Sequence, residues 1–312
     1  MGKKATLKAA LSSHQAREQK KQDAKRAAQV AEQKAKKPAQ SKGKGRAVPQ
    51  VVTVPFLPTD NILLIGEGNF SFARALVCDP PTSLQHLPPR NVVATAYDSE
   101  GECYEKYPES VGIVQELRAR GAEVLFGIDA TKIEKYASLR DKKFDKIVWN
   151  FPHAGKGITD QDRNILTNQL LLLGFLRSVS GILQTGPAPV VHARRKPKAS
   201  GDDSGDDGHA SSSETENLAT SSVRRGTVLI TLRNVAPYTL WDLPKLAKNP
   251  PPPQSGGQAN PRYTLLRSFA FHRNAWKGYE HRMTKGERVH GKGTTGVGGE
   301  DRTWEFYLRD QL

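Results

Sequence analysis

Residues 62–76 read ILLIGEGNFSFARAL, and this stretch decides the fold. Four apolar residues, Ile62 to Ile65, run into Gly66-Glu67-Gly68, and an amphipathic segment follows at once. That pattern predicts a strand at 61–65, a tight turn, and a helix at 70–77. Such turns usually hold a nucleotide-like ligand, but the dinucleotide fingerprint needs a third glycine where Ser71 stands. Glu67 inside the turn would repel a pyrophosphate, so a zwitterionic amino-acid ligand fits better.

Outward from the turn, strand and helix patterns alternate. Strands are predicted at 91–97, 122–130, 143–153 and 226–232, and helices at 109–120, 131–138, 160–184 and 239–247. Two further strands, 263–271 and 303–309, close the pattern without room for a crossover helix, so one of them runs antiparallel. The expected class is α/β, a mostly parallel sheet covered on both faces.

The 312 residues carry a formal charge of +15, unevenly placed. Residues 1–46 hold 14 Lys and Arg against three acids, so most of the excess sits in one tail. Residues 1–50 are rich in Lys, Ala and Gln and cannot build a core. They read as a disordered basic segment that meets nucleic acid, where neutralised phosphates release counterions, or merely keeps the protein in solution. The folded domain is expected over 51–312, broken by a polar insertion at 194–225 and a proline-rich linker at 248–260. Two cysteines, Cys78 and Cys103, lack metal-ligand spacing, which speaks against zinc or a disulfide framework. No apolar leader and no stretch long enough to span a bilayer are read, so the expectation is a soluble intracellular monomer with neither metal nor membrane.

Ligands of open α/β sheets bind beyond the carboxyl ends of the strands. Gly66, Glu67, Gly68, Asn69, Phe70 and Ser71 follow the first strand, and glycines there let backbone N–H groups approach a ligand. Asp98 ends the second strand, where a carboxylate can accept both ribose hydroxyls. Asp129 and Ala130 end the third, beside the place of an adenine amino group. Each aspartate could equally be a helix cap. The fourth strand delivers Asn150-Phe151-Pro152-His153. In loops of this sort an Asn carbonyl accepts from a target nitrogen, an aromatic ring stacks on a base, and proline fixes the path. His153 is the loop's one candidate base. Across 272–296, Arg273, Trp276, Lys277, Tyr279, His281 and Arg282 interleave cations and rings, a pattern suited to phosphate contact and base stacking. A solvated loop with one or two rings tucked inward is the alternative.

LLIGEGNFSFA, AYDS, GIDAT, FDKIVWNFPHAG and GYEHRMT, in this order, resemble the large-subunit ribosomal-RNA uridine-N3-methyltransferases first known from fungi. The resemblance spans about residues 55–309. It implies a Rossmann-like class I methyltransferase with a seven-stranded sheet whose seventh strand inserts antiparallel between strands five and six. It further implies S-adenosylmethionine as cofactor, ribosomal RNA in pre-ribosomal particles as partner, and the nucleolus as location. A non-catalytic RNA-binding assembly factor with the same fold stays open, whereas a nucleotide-dependent oxidoreductase is disfavoured by Glu67 and Ser71.

Overall fold

The computed structural model describes residues 19–22, 52–155, 158, 160–189, 224–252, 259–282 and 299–310. Strands β1 (Ile62–Ile65), β2 (Val92–Thr95), β3 (Glu123–Leu125), β4 (Lys146–Asn150), β5 (Thr227–Arg233), β6 (Tyr263–Ala270) and β7 (Asp301–Leu308) form one sheet. Its order is β3-β2-β1-β4-β5-β7-β6. Strands one to five pair in parallel, while β7 lies antiparallel to both β5 and β6. The expected seven-stranded α/β plan, with its antiparallel insertion, is therefore present.

Successive residues of β1 face opposite layers, as the pleat requires. Leu63 and Ile65 join one core with Phe175, Leu176 and Val179, while Ile62 and Leu64 join the other with Phe72, Leu76 and Val114. Because both faces are covered, β1 is apolar throughout instead of alternating, which is why its sequence signal is so strong. Each fully buried Ile, Leu or Phe contributes roughly 1.5–3 kcal/mol of burial free energy.

On one face pack the helices α1 (Ser71–Val77) and α3 (Ser110–Ala119), preceded by α2 (Glu100–Lys106). On the other lie α4 (Ala137–Arg140), α5 (Gln161–Val179) and α6 (Leu243–Lys248). Helix α2 was not expected, although its N-terminus is written in the sequence. The Ser99 hydroxyl accepts from the Glu102 N–H, and the Glu102 carboxylate accepts from the Ser99 N–H, a reciprocal capping box. Helix α5 starts where the Asp160 carboxylate accepts from the Arg163 N–H at 2.7 Å.

Three expected boundaries move. The third strand ends at Leu125 because Gly127 adopts φ +68°, which turns the chain out of the ladder. The fourth is confined to Lys146–Asn150, since Phe151 takes φ +54° and Pro152 follows. The segment 131–138 splits into a 3₁₀ turn at Ile133–Lys135 and α4. Against the expectation that no stretch could span a bilayer, the helical run Gln161–Ile182 is long and apolar enough by length and composition. Its Leu172, Phe175, Leu176 and Val179 are buried against the sheet, so it is the core helix.

Residues 19–22 of the basic tail form a helical turn, with Lys20 on Asp242 at 2.8 Å and Lys21 on Asp162 at 3.3 Å. The rest of residues 1–50, most of the 194–225 insertion and residues 253–258 of the linker lie outside the described residues.

Candidate functional site

Three loops at the carboxyl ends of β1, β2 and β4, with the loop after β3, enclose a cavity of about 920 Å³. Its wall brings together Gly66, Glu67, Gly68, Asn69, Ser71, Asp98, Asp129 and Ala130 with Asn150, Phe151, Pro152 and His153. The cavity has the size of a cofactor site. Of the cofactor-binding residues expected from the sequence, only Phe70 is absent from this wall. It is fully buried, with φ +61° and its ring edge-on to Phe126 at 5.3 Å. Phe70 is thus a core residue that shapes the start of α1, which corrects the expected contact.

The glycine turn is built from two different necessities. Gly66 sits at φ +64°, and a Cβ there would meet Trp149 Nε1 at 2.7 Å. Gly68 has no unusual φ; a Cβ there would touch Arg282 Cβ at 3.4 Å. The turn therefore lies sandwiched between the Trp149 indole and the segment 279–282. That segment is fastened by Ser71, whose Oγ donates to the Glu280 carbonyl at 3.0 Å and lies 3.0 Å from the Glu280 N–H. Arg282 pairs with Glu109 at 2.8 Å, and the Asn69 amide donates to the same carboxylate at 3.0 Å. Residues 279–282 of the GYEHRMT motif thus close over the glycine turn, a contact between residues more than 200 positions apart.

Glu67 lines the cavity, and its carboxylate is bound back to the start of α1. Its carboxylate accepts from the Ala73 N–H at 3.3 Å and serves α1 as the cap that Phe70 cannot supply. Burial pushes its carboxyl up to about 7, only partly offset by the Ala73 and Phe72 N–H groups. Asp98 accepts from Lys106 at 2.6 Å while lining the cavity beside Tyr97, a residue that is 71% exposed. Asp129 spends its oxygens on the Thr131 N–H and hydroxyl and on Lys132 at 2.7 Å. Its carboxylate braces its own loop, so the capping alternative describes it better than direct recognition of an amino group.

The loop after β4 is held in a strained form. Phe151, a non-glycine residue at φ +54°, donates its N–H to Thr231 at 2.8 Å, and Pro152 is buried. Conformations of this kind cost on the order of 1–3 kcal/mol and concentrate at functional sites. The loop's far end is caught by the buried Asn168 of α5, whose side-chain oxygen accepts from the Ala154 N–H at 2.9 Å.

Three expected roles change here. The Asn150 side-chain carbonyl accepts from the Thr231 hydroxyl at 2.9 Å, and Thr231 in turn meets Thr303 at 2.9 Å. The oxygen thus has one of its two lone pairs engaged, and the amide nitrogen is buried without a hydrogen-bond partner among the described residues. Phe151 has His281 at 4.4 Å, the Arg273 guanidinium at 4.8 Å and Phe271 edge-on at 5.9 Å, so its ring is already stacked within the protein. His153 Nδ1 accepts from the Gly155 N–H at 2.9 Å, which fixes the neutral tautomer with its proton on Nε2. Burial holds the ring below the ordinary histidine range, and so His153 is a donor at Nε2 and a poor base.

The 272–282 segment also departs from the expected RNA surface. Trp276 is 4% exposed, packed against Phe72 at 4.9 Å and Phe56 at 5.8 Å. Tyr279 packs on Phe72 and Phe271, and burial drives its hydroxyl far above the usual range. Arg273 binds Asp301 at 2.7 Å, Arg282 binds Glu109 and Glu280, and His281 lines the cavity. Of the six, Lys277 stands out into solvent, 2.8 Å from Asp79. Hydrophobic requirements of the α1 layer, invisible to a local pattern, claim the rings.

Sequence reasoning missed Trp149, Thr231, Thr303 and Asp301. The last two occupy alternate positions of a strand that also carries Glu305, and polar residues at period two in a buried strand were the available signal.

Residues 63–283 match the family model described as BMT5-like, rRNA (uridine-N3-)-methyltransferase. The chain is 28% identical over 275 residues to the 25S rRNA (uridine(2634)-N(3))-methyltransferase of Saccharomyces cerevisiae, covering 82% of this chain and 74% of that one. It is 36% identical over 124 residues to the ferredoxin-fold anticodon-binding domain-containing protein 1 homolog of Mus musculus, covering 39% of this chain and 18% of that protein. Among solved structures, a point mutant of the 16S rRNA (adenine(1408)-N(1))-methyltransferase from Catenulisporales acidiphilia aligns over 80% of this chain and 88% of its own. The TM-score is 0.35 at 10% identity, so the fold assignment rests on the strand order instead.

Proposed function

The chain belongs to the BMT5-like rRNA (uridine-N3-)-methyltransferase family and is a ribosomal-RNA methyltransferase, and we propose that it uses S-adenosylmethionine to methylate N3 of a uridine in large-subunit rRNA. One observation carries this reading: the glycine turn, Asp98 and the Asn150–His153 loop open into a single cavity, so donor and acceptor sites adjoin.

The residues suit the cofactor. Gly66 and Gly68 leave backbone N–H groups for its amino-acid end, Asp98 offers a carboxylate for ribose hydroxyls, and Ala130 presents an apolar face for adenine. When bound, S-adenosylmethionine supplies an electrophilic methyl group. The chain's own part is placement, which converts a bimolecular encounter into an oriented one.

One donor of the loop suits an imide target. N3 of uracil is flanked by two carbonyl acceptors, and the loop offers His153 Nε2–H as a donor to one of them. A base within a helix must first be flipped out or lie in a single strand. An rRNA substrate argues for the nucleolus as the site of action, and the lysines of residues 1–46 suit contact with RNA there.

Titration calorimetry with S-adenosylmethionine, followed by nucleoside mass spectrometry of rRNA treated with the full-length protein, tests this reading. Micromolar binding and a gain of 3-methyluridine are expected; absence of binding, or methylation of a different nucleoside, refutes it. A His153→Ala protein should lose about tenfold in rate, the worth of one hydrogen bond to a carbonyl. Its pH–rate profile should keep the wild-type position. A rising limb that vanishes in this variant would restore His153 as the base.

A further inference from the structure

We propose that Asp162 and Asp242 form a shelf that anchors the basic N-terminal segment beside the acceptor loop, where the segment clamps the phosphate backbone of the RNA. This rests on the ribosomal-RNA methyltransferase reading and adds where the basic segment works.

The shelf is written into the starts of two helices. Asp242 stands at the N-cap of α6, a position from which an aspartate normally accepts from its own helix. Here its backbone is left-handed, at φ +55°, and its side chain makes no cap bond. The carboxylate is turned to Lys20 Nζ instead, at 2.8 Å. In α5 the cap is Asp160, bound to the Arg163 N–H, and Asp162 in the first turn meets Lys21 at 3.3 Å.

Both carboxylates flank the acceptor side of the cavity. Asp242 follows Trp241, whose ring lies 6.0 Å from that of His153. Gln169 of α5 donates to the Trp241 carbonyl at 3.2 Å, which ties the start of α6 to α5. Asp162 opens the same helix whose Asn168 holds the acceptor loop at Ala154.

The contact is not a by-product of chain adjacency. Lys20 and Asp242 are 222 positions apart. Phe56, near the start of the domain, packs in the α1 layer, whereas Lys20 and Lys21 sit on the α5–α6 side. These lysines have thus crossed to the opposite face of the sheet.

Exposed ion pairs are individually weak. Their effect here is to raise the local concentration of the segment's other cations at the acceptor side, which makes RNA capture by them partly intramolecular. Residues 1–46 carry 14 Lys and Arg against three acids, a composition suited to neutralising phosphates. With Trp276 and Tyr279 packed into the α1 layer, backbone contact falls to this segment.

The test uses the full-length protein. Carbodiimide treatment joins a lysine to a carboxylate already in contact, so peptides linked Lys20–Asp242 and Lys21–Asp162 are expected by mass spectrometry. Fluorescence anisotropy with a labelled large-subunit rRNA transcript then measures the consequence. Lys20→Asp should weaken RNA binding about threefold, the worth of one exposed ion pair, with S-adenosylmethionine binding unchanged. Asp242→Lys alone should weaken it as well, although it adds positive charge, because it repels Lys20. The double variant restores the pair in reverse and should recover wild-type affinity. Absence of both cross-links, RNA binding that is unchanged or tighter in either single variant, or no recovery in the double overturns the proposal. Tighter binding would make the contact a lid over the acceptor side. If wild-type protein binds the transcript but yields no 3-methyluridine, the functional reading falls; if it yields 3-methyluridine and the pair shows no coupling, only the anchor falls.

Discussion

A Gly66→Ala protein is expected to lose S-adenosylmethionine binding by a factor of about 100 or more and methylation altogether, while remaining folded. The reasoning starts at the backbone. Gly66 lies at φ +64°, where an alanine costs about 1–2 kcal/mol. The added Cβ would also sit 2.7 Å from Trp149 Nε1. Trp149 has little room to retreat, since it is nearly buried and packs edge-on against Phe175 at 4.6 Å. Its remaining way out is into the cavity it lines, which is the proposed donor site. The melting temperature should fall by roughly 5 °C, given about 2–4 °C per kcal/mol for a domain of this size. Gly68→Ala is the contrast: its Cβ makes an ordinary contact with Arg282 at 3.4 Å, so a loss of tenfold or less is expected. Calorimetry and thermal melts on both proteins check this. Donor binding by Gly66→Ala equal to wild type would remove the turn from the donor site.

Local chemistry is what a sequence displays, and the site was legible to the degree that it is local. The Gly66–Gly68 turn, Asp98 and the Asn150–His153 loop each sit at the end of an apolar run, and the structure gathers them around one cavity. The parallel sheet followed from the alternation of elements. What stayed hidden depends on partners far away in the chain. Phe70 and Trp276 carry the same aromatic character as a ligand-stacking ring, and only the three-dimensional layer decides that both are core. Asn150 reads as a free acceptor until Thr231, 81 positions later, donates to its oxygen. Asp129 could have been a ligand or a brace, and Thr131 with Lys132 made it a brace. Helix α2 is the exception, since its Ser99–Glu102 box was local and readable.

Strand β7 explains how the antiparallel insertion and the site are tied together. Positions 301, 303 and 305 share one face of the strand by the period of two. Asp301 holds Arg273 against Phe151, Thr303 meets the Thr231 that orients Asn150, and Glu305 anchors the row. Glu305 is completely buried, accepting from Lys146 at 2.7 Å, Arg267 at 2.6 Å and the Thr227 hydroxyl at 2.8 Å. One carboxylate therefore joins β4, β5 and β6 to β7 and selects where β7 inserts. Removing it should be costly: Glu305→Ala leaves the Lys146 ammonium, itself 15% exposed, without its counter-charge, a change worth about 3–5 kcal/mol. At about 2–4 °C per kcal/mol the melting temperature should drop by roughly 10 °C or more. The pH dependence has a definite sign. Burial by itself raises this carboxyl, but Lys146 and Arg267 outweigh burial and hold it below its ordinary value of 4.5. A carboxyl depressed in the folded state adds stability that is fully present above the unfolded value and lost as pH falls through the folded one. Wild-type protein should therefore lose stability as pH drops below about 4.5, and Glu305→Gln, unable to titrate, should lose less over the same interval. Urea melts of the two proteins from about pH 7 to about pH 3 decide it; parallel curves would mean that Glu305 carries no such linkage and that shape alone places β7.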